Sequence, residues 1–259
     1  MRCLGYCYAG PAALDGEVPC TGPTLAGQLA GWEPPRAPGI PAADATGDPV
    51  LLGGVVSGER PWQVWPRTVT ERTPDEVHQQ LAASGLRGRG GAGFRVVAKW
   101  AAAGRRPDTV VVANGDEGDP GSYADRLLME ADPGRVLQGL ALACFTCGAA
   151  KGVVPVRSEY PMALARMREA VGQAYADGQL GPSLYGTTTT LDIQVVEGAG
   201  SYVAGEATAL IAGLEGGRRC ARPRPPYPTE RGLWGAPHAP RRCPQQTAAA
   251  RLLRRRCVA

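Results

Sequence analysis

Apolar and polar positions along the middle of the chain follow two periods, one typical of buried strands and one typical of helices. Short runs rich in valine and other apolar residues predict three buried strands, over residues 109–114, 152–157 and 191–196. Longer stretches with apolar positions three or four residues apart predict helices over residues 134–150, 161–177 and 202–214. Strands that alternate with helices favour an α/β fold with a mainly parallel sheet, whose ligands bind at the carboxyl ends of the strands.

Two further helices are predicted before the first of these strands. Thr73 can cap a helix, Pro74 suits its first turn, and Glu76 completes a capping box. This helix should run to about Ala83, and a short helix is expected through residues 99–100.

The first part of the chain lacks this periodicity. Residues 1–20 form a compact segment, and residues 21–69 are rich in proline and glycine, as in a linker with a short strand over Leu51–Ser57. We expect residues 1–68 to pack loosely, apart from one α/β domain over residues 70–238.

The positive charge is concentrated near the end of the chain. From Arg218 onward there are eleven arginines and one acid, Glu230, which gives +10; the whole chain carries +4, so residues 1–217 carry about −6. After Pro240 there is no acid and no clear element, so residues 239–259 are interpreted as an aberrant basic tail. Such a tail can bind nucleic acid, but a frameshifted reading explains it at least as well, and we expect no nucleic-acid partner.

The short length of the apolar runs bears on where in the cell the protein is expected. No run reaches the roughly 18 residues of a membrane span, and the start has no signal-peptide pattern. We therefore expect a cytoplasmic protein without direct membrane insertion. In such a chain eight cysteines indicate metal ligation or burial more than a disulfide framework.

A glycine-dense loop over residues 84–93 is the sharpest candidate for chemistry. Between Gly85 and Gly93 it has five glycines and two arginines, which let the backbone approach a phosphate and supply opposing charge. Gly88, Gly90 and Gly93 match the spacing of a dinucleotide fingerprint, but a helix is predicted where that fingerprint needs a strand. No Gly-Lys-Ser/Thr follows, so an NTPase phosphate loop is unsupported, and a plain solvent loop is the alternative.

Several motifs in a fixed order make the interpretation specific. They are Ser84–Phe94 with Lys99–Trp100, Asn114–Gly121, Asp125–Glu130, Gly198–Glu206, Leu214–Gly216, Pro225–Pro228 and Gly232–Gly235. Over residues 70–238 the chain resembles the flavin-binding part of the NADH-oxidising flavoprotein subunits of respiratory complex I and of related NAD-linked hydrogenases and formate dehydrogenases. The resemblance implies a Rossmann-like domain that binds FMN and NAD(H) and transfers a hydride from NADH to FMN. It also implies that electrons then leave singly through iron–sulfur clusters.

The resemblance assigns cofactor contacts residue by residue. The loop shared by the flavin and the dinucleotide would comprise Gly88, Arg89, Gly90 and Gly91. FMN contacts would come from Lys99, Asn114, Asp116, Glu117, Tyr202, Gly205 and Glu206. NADH contacts would come from Phe94, Asp119, Arg224 and Tyr227, whose two aromatic rings would stack on adenine.

Plainer alternatives exist for several of these residues. Lys99 could be a solvated helix residue, Glu206 an ordinary first-turn acid, and residues 114–117 a simple turn. Hydride transfer to a flavin needs no general acid or base, so we assign no catalytic residue, and neither His78 nor His238 is expected to be catalytic.

Departures from the family pattern favour a second hypothesis. Ala102, Ala204 and Ala207 replace an aromatic residue, a cysteine and a glutamate that the family carries. A flavin-contacting segment is expected where the chain reads His238-Ala-Pro-Arg, and the later cluster-binding domain is missing. The alternative is therefore a truncated or frameshifted fragment that does not catalyse.

The cysteines do not complete an iron–sulfur site. Cys3 and Cys7 resemble the second cysteine pair of the thioredoxin-like [2Fe–2S] domain found beside these flavoproteins, and a two-iron cluster needs four thiolates. Cys144 and Cys147 lie in an apolar predicted helix and are expected to be buried. Partners implied by the resemblance are NADH, a thioredoxin-like 2Fe–2S subunit or domain, and further redox subunits, at the cytoplasmic side of a membrane complex.

Overall fold

The computed structural model describes residues 3–39, 51, 53–88, 93–106, 108–198 and 200–235, together with the backbone of residues 238–242. Its strands are β1 (Ala12–Asp15), β2 (Val18–Thr21), β3 (Val110–Asn114), β4 (Lys151–Arg157), β5 (Asp192–Gly198) and β6 (His238–Arg242). Its helices are α1 (Leu25–Leu29), α2 (Gly53–Ser57), α3 (Trp65–Glu71), α4 (Pro74–Ser84), α5 (Val96–Ala103), α6 (Ala124–Ala131), α7 (Pro133–Cys147), α8 (Pro161–Ala176) and α9 (Ala207–Leu214). The strands and helices predicted for the middle of the chain are confirmed, except that the helix over 202–214 is divided into a 3-10 turn (Tyr202–Gly205) and α9.

A parallel sheet with the strand order β5–β4–β3–β6 forms the centre of the molecule. Val110 pairs with Lys151 of β4 and with His238 of β6, while Lys151 also pairs with Asp192 of β5. Because these strands all point the same way, their carboxyl ends meet along one edge of the sheet. Strands β1 and β2 form a separate antiparallel hairpin. The predicted α/β fold with a mainly parallel sheet is confirmed.

Alternating side chains of β3 serve two packed layers. Val111 and Ala113 belong to the larger core, which contains the buried face of α7, whereas Val110 and Val112 pack with Leu210 of α9 on the other side. This is the two-residue period of a strand covered on both faces. Each fully buried valine or leucine contributes about 1.5–3 kcal/mol to folding, so the covered sheet is the main stabilising feature.

Helix α4 begins as its sequence predicts. The Thr73 hydroxyl accepts a hydrogen bond from the Glu76 amide at 3.3 Å, and the Glu76 carboxylate accepts one from the Thr73 amide at 2.7 Å. Gly85 then ends the helix with a φ of +64°, a conformation that glycine adopts without strain. The predicted capping box is confirmed.

The segment expected to be a loose linker is packed into the core in its last part. Trp65 is fully buried, donates its indole N–H to the Gln179 carbonyl at 2.9 Å, and meets Phe145 edge to face at 6.2 Å. Trp62 and Val69 are buried in the same core. The expectation of loose packing is therefore wrong for residues 62–68, because Trp62 and Trp65 bury large apolar side chains in the core.

The strand predicted over Leu51–Ser57 is also wrong. Residues 53–57 form helix α2, in which the Ser57 hydroxyl donates to the Gly53 carbonyl at 2.5 Å. Gly54 lies against the side chains of Asp132 and Arg135, where a Cβ atom would overlap an Arg135 nitrogen. Val55 and Val56 favour a strand by their intrinsic preference. The close packing of Gly54 against the Asp132–Arg135 ion pair outweighs that preference and holds the segment as a helix.

The start of the predicted basic tail contains a strand. The backbone of β6 runs parallel to β3 from His238, opposite Val110, to Arg242, opposite Asn114. The expectation of no element after Pro240 is wrong for residues 241–242, since pairing with a sheet edge uses backbone groups rather than a particular side-chain pattern. Residues 243–259 lie outside the described part of the chain. Within that described part, no helix has the length and apolarity that crossing a membrane requires.

Candidate functional site

Asn114, the last residue of β3, ties two loops together at the carboxyl edge of the sheet. Its side-chain amide donates to the Gly205 carbonyl at 2.9 Å, and its side-chain oxygen accepts from the Asp116 amide at 3.0 Å. Asn114 is buried, so both hydrogen bonds are shielded from water. The loop after β3 is thereby held against the turn that precedes α9.

The same two loops approach each other at a glycine. A Cβ atom at Gly118 would lie 2.7 Å from the Tyr202 carbonyl oxygen, which is closer than real side chains come to backbone. Nearby, a Cβ atom at Gly200 would overlap the Glu159 carboxylate. Gly118 thus allows a close contact between two backbones, and Gly200 leaves room for a buried carboxylate, where a side chain would force a shift.

A chain of buried charges lies beneath this contact. Asp116 is 3.4 Å from the Arg219 guanidinium and 3.8 Å from that of Arg157, and Arg157 is 3.1 Å from Glu159. Arg157, Asp116 and Glu159 are almost fully buried. Burial opposes ionisation of Arg157, but the Glu159 carboxylate and the other facing charges raise the pKa of Arg157. Such a network keeps the loops in one arrangement because a buried charge without its partner is costly.

Glu117 directs its carboxylate into the start of α6. It accepts hydrogen bonds from the Ser122 hydroxyl at 2.7 Å and from the amides of Ala124 and Asp125, both at 3.0 Å. Its backbone carbonyl accepts from the Arg157 guanidinium and the Tyr160 hydroxyl. A carboxylate at a helix N-terminus satisfies amides that lack a partner within the helix.

Glu206 has the same relation to α9. Its carboxylate accepts from the amides of Thr208 at 2.8 Å and Ala209 at 3.0 Å, and it pairs with the Arg224 guanidinium at 2.7 Å. Partial burial raises the pKa of Glu206, but these hydrogen bonds and Arg224 outweigh it, so the pKa lies below its ordinary value. The predicted contact residues Glu206 and Arg224 are therefore joined to each other.

Tyr202 and Asp119 form the exposed rim of the edge. Their side chains are hydrogen-bonded, and this bond, followed by the Asp119 charge, raises the pKa of Tyr202. The Tyr202 ring is 73% exposed, so one aromatic face is open to a ligand.

The neck of the glycine loop is a short pair of antiparallel backbones. The Gly88 amide donates to the Phe94 carbonyl at 2.8 Å, and the Val96 amide donates to the Leu86 carbonyl at 3.0 Å. The predicted residues Arg89, Gly90 and Gly91 lie outside the described residues. Beyond the neck, the Lys99 ammonium lies 5.7 Å from the centre of the half-exposed Phe94 ring, a cation–π contact.

The predicted residues therefore fall into two contacting groups. One joins residues that follow the carboxyl ends of β3 and β5: Asn114, Asp116, Glu117, Asp119, Tyr202, Gly205, Glu206 and Arg224. The other joins residues at the neck of the glycine loop: Gly88, Phe94 and Lys99. Tyr227 follows Arg224 after two prolines, and its ring is 53% exposed.

The donor set suits a cofactor that carries phosphate, hydroxyl and ring groups. Lys99 and Arg224 supply positive charge, and Asn114 and Asp119 supply polar groups that can bind hydroxyls. The residues present therefore fit FMN. Glu117 and Glu206 fit as residues that position the surrounding loops, because their carboxylates are bound to helix amides.

A cavity of about 590 Å³ lies behind the Arg224–Tyr227 segment, between α9 and residues 222–235. Its walls include Thr208, Ile211, Glu215, Arg222, Arg231 and Trp234. None of the predicted site residues that the structure describes is among its lining residues.

Sequence reasoning missed three charged residues of the site, Arg157, Glu159 and Arg219. Arg157 ends β4 and Glu159 follows it, so the rule that led to Asn114 at the end of β3 could have found both. Arg219 carried no comparable signal. It reaches Asp116 across 103 positions, and its side chain crosses Gly198 and Gly213, where a Cβ atom would lie 2.8 Å and 2.5 Å away.

Cys3 lies beside this edge. Its sulfur accepts hydrogen bonds from the amides of Gly5 at 3.4 Å and Gly121 at 3.5 Å. Partial burial raises the pKa of Cys3, but these hydrogen bonds and the Arg157 charge lower it by more. Among the residues that the structure describes, no three His, Cys, Asp or Glu side chains are grouped to hold a metal ion.

Comparisons with known proteins agree with this arrangement. A family model described as the Nuo51 FMN-binding domain matches residues 81–236. An NADH-quinone oxidoreductase subunit of Rhizobium meliloti (strain 1021) is 39% identical over 175 residues, which cover 66% of this chain and 41% of that protein. The NADP-reducing hydrogenase subunit HndC of Solidesulfovibrio fructosivorans is 42% identical over 171 residues, covering 65% of this chain and 35% of that protein.

Solved structures give the same result. The crystal structure of an NAD⁺-reducing [NiFe]-hydrogenase in the H₂-reduced state superposes with a TM-score of 0.82 at 29% identity. The match covers 97% of this chain and 44% of the hydrogenase chain. This chain thus spans less than half the length of each of these similar proteins.

Proposed function

The chain belongs to the Nuo51 FMN-binding domain family, and from that premise we propose that it is the FMN-binding, NADH-oxidising module of an NADH:quinone oxidoreductase or of a related NAD-linked hydrogenase or formate dehydrogenase complex. The observation that carries the proposal is the hydrogen bond from Asn114 to Gly205, which joins the loop after β3 to the turn before α9 at the carboxyl edge of a parallel sheet. Tyr202 with Asp119, and Arg224 with Glu206, form two further pairs on these loops. Ligands of α/β proteins bind at this edge.

In this proposal, different side chains bind different parts of FMN and NADH. Lys99 would supply a cation for FMN, Asn114 fixes the loop after β3, and Tyr202 offers an exposed aromatic ring. Phe94 and Tyr227, both about half exposed, provide faces on which adenine of NADH can stack. When bound, FMN would supply the acceptor for the hydride of NADH, and these residues would orient the two ring systems.

Glu117 and Glu206 act in this proposal as positioning residues. Each binds the first amides of a helix, and Glu206 also holds Arg224 in place for the nucleotide. Arg157 and Arg219 hold Asp116 from below. The loops are thus fixed before a ligand binds, which lowers the entropy cost of binding.

Partners and location are part of the same proposal. The similar proteins are named as subunits of an NADH-quinone oxidoreductase and of a hydrogenase. We therefore expect this module to pass electrons to a thioredoxin-like 2Fe–2S subunit or domain and to further redox subunits. It would lie in the cytoplasm, peripheral to a membrane complex, with no iron–sulfur site completed by its own cysteines.

A binding titration tests the proposal. Adding the protein to FMN should quench flavin fluorescence, and Lys99→Ala should weaken binding about tenfold, the equivalent of about 1.4 kcal/mol, because a charge-assisted contact is lost. Lys151→Ala is the matched control, since Lys151 is exposed at the opposite end of β4. Addition of NADH with ferricyanide then measures hydride transfer.

A non-catalytic fragment remains the second candidate, favoured by Ala204 and Ala207 at positions where the family carries cysteine and glutamate. Absence of FMN binding, or equal binding by the Lys99 and Lys151 variants with no NADH oxidation, would contradict the first candidate and support the second.

A further inference from the structure

Arg219 carries a positive charge across the carboxyl edge of the sheet. Its side chain passes Gly213 of α9, where a Cβ atom would lie 2.5 Å from the Arg219 Nε. Its guanidinium lies on Gly198, the last residue of β5, where a Cβ atom would lie 2.8 Å from Nη2. The same guanidinium is 3.4 Å from the Asp116 carboxylate in the loop after β3. Arg219 therefore connects the end of β5 with the loop that follows β3.

The position of this charge is fixed by close packing. A side chain at either Gly198 or Gly213 would occupy the space that Arg219 fills, so the two glycines leave a path for it. Only 14% of the Arg219 side chain is exposed, and salt screens a charge in such a place much less than a charge on the surface. Arg218, the preceding residue, is exposed and lacks this packing.

Arg219 also balances the charges beneath the proposed flavin site. Arg157 and Arg219 both face Asp116, and Arg157 faces Glu159 as well, so the four side chains carry two positive and two negative charges. Without Arg219 this network would have one excess negative charge. Asp116 belongs to the loop that is proposed to contact FMN, so the excess charge would act on the bound ring at short range.

We propose that Arg219 raises the reduction potential of the bound flavin, because its charge stabilises the negative charge that the ring gains on reduction. This inference rests on the proposed function. In hydride transfer a C–H bond of the nicotinamide breaks with its electron pair, that hydrogen bonds to the flavin ring, and NAD⁺ leaves. The reduced ring thus carries one more negative charge than the oxidised ring, and a positive charge already in place favours it. The phosphate charge of FMN is the same in both states, so a change in potential reports on the ring.

The experiment measures the potential of FMN bound to the full chain, without oxygen, against a reference dye. At a fixed potential, Arg219→Gln should lower the ratio of reduced to oxidised flavin about tenfold, which is about 30 mV for a two-electron couple. Arg219→Lys keeps the charge and should retain most of the wild-type potential, although it offers fewer donors. Arg218→Gln removes an exposed arginine one position earlier and is the matched control, whose potential should equal that of the wild type.

A second pair of variants tests the charge balance itself. Asp116→Asn should shift the potential upward, and the double variant with Arg219→Gln should return near the wild type, because one charge of each sign is then missing. If Arg219→Gln alone fails to retain FMN, the double variant is compared with Asp116→Asn, and equal potentials of these two would overturn the proposal. Equal potentials of the wild type and Arg219→Gln would also overturn it and leave the proposed function intact. A wild-type chain that does not bind FMN would overturn both.

Discussion

Single residues at the carboxyl edge of the sheet decide which conformation its loops adopt. Glu117 and Glu206, which the sequence offered as flavin contacts, each hold the first turn of a helix in the structure. Gly118 has no side chain, so the backbones of the two loops can approach each other closely at this position. The chemistry of the edge therefore depends on residues whose first task is to position other residues.

Replacing Gly118 by alanine should separate the loops. The new Cβ atom would lie 2.7 Å from the Tyr202 carbonyl, so we expect a loss of about 1–3 kcal/mol in the free energy of unfolding and weaker FMN binding. Gly172→Ala in helix α8 is the matched control, because nothing lies within 4 Å of its Cβ position. That variant should be unchanged or slightly more stable. Urea unfolding of both variants is the measurement, and equal stability would contradict the close contact.

Glu206 should make the free energy of unfolding depend on pH in the acid range. Its folded pKa lies below the ordinary value of 4.5, so its stabilising effect is complete above that value and is lost as the pH falls through the folded pKa. The difference in unfolding free energy between the wild type and Glu206→Gln should therefore be constant above about pH 5.5 and shrink below it. Glu169→Gln, on the exposed face of α8, should follow the wild type throughout. A difference that does not shrink at all as the pH is lowered would contradict this account.

The sequence identified part of this edge and missed the rest for a physical reason. Asn114 and Asp119 follow a strand that its own apolar run predicts, so their place at a ligand-binding edge could be expected. The contact of Arg219 with Asp116 joins residues 103 positions apart and depends on the packing of α9. No local pattern contains that information.

Among the elements, α3 shows how a few large side chains can override composition. The segment around it is rich in proline and glycine, yet Trp62, Trp65 and Val69 enter the main core. Helices α7 and α8 were predictable from apolar positions three or four residues apart, strands β3, β4 and β5 from short apolar runs, and helix α4 from its capping box. Helix α2 and strand β6 were not, since α2 depends on the contact of Gly54 with Arg135, and β6 depends on an available sheet edge.

Removing the anchor of α3 should weaken the whole fold. Trp65→Ala leaves a cavity beside Phe145 and removes the indole donor of the Gln179 carbonyl. We therefore expect a loss of about 3–5 kcal/mol in the free energy of unfolding. Trp32 is 85% exposed, and Trp32→Ala should change the same free energy by less than about 0.5 kcal/mol. Thermal and urea unfolding would compare the two. A mild effect of Trp65→Ala would restore the linker interpretation.

For the whole molecule, the packing of α3 moves the expected start of the folded domain. The sequence pattern alone predicts a domain over residues 70–238, because it gives the tryptophans no place in the core. A chain shortened to begin at residue 70 lacks the buried side chains of Trp62, Val64, Trp65 and Val69. A chain that begins at residue 53 keeps them, together with the contact of α2 with α7.

The two shortened chains should behave differently. The chain from residue 53 should unfold cooperatively, as the complete chain does, whereas the chain from residue 70 should expose apolar surface and bind a hydrophobic dye. The measurements are dye fluorescence and the sharpness of urea unfolding. Cooperative unfolding of the chain from residue 70 would support the boundary that the sequence pattern predicts.

The Tyr6 ring lies 4.1 Å from the Arg126 guanidinium of α6, so its ionisation is an optical marker for the contact between the N-terminal segment and α6. Burial, with the Glu130 charge second, raises the pKa of Tyr6 to about 12, whereas an exposed tyrosine ionises near pH 10. The folded chain holds this proton more tightly than the unfolded chain, so the contribution to stability is complete below about pH 10 and is lost as the pH rises through 12. Tyrosinate absorbance should therefore have a late alkaline step, and the part of that step that Tyr6→Phe removes records the release of the N-terminal segment from α6.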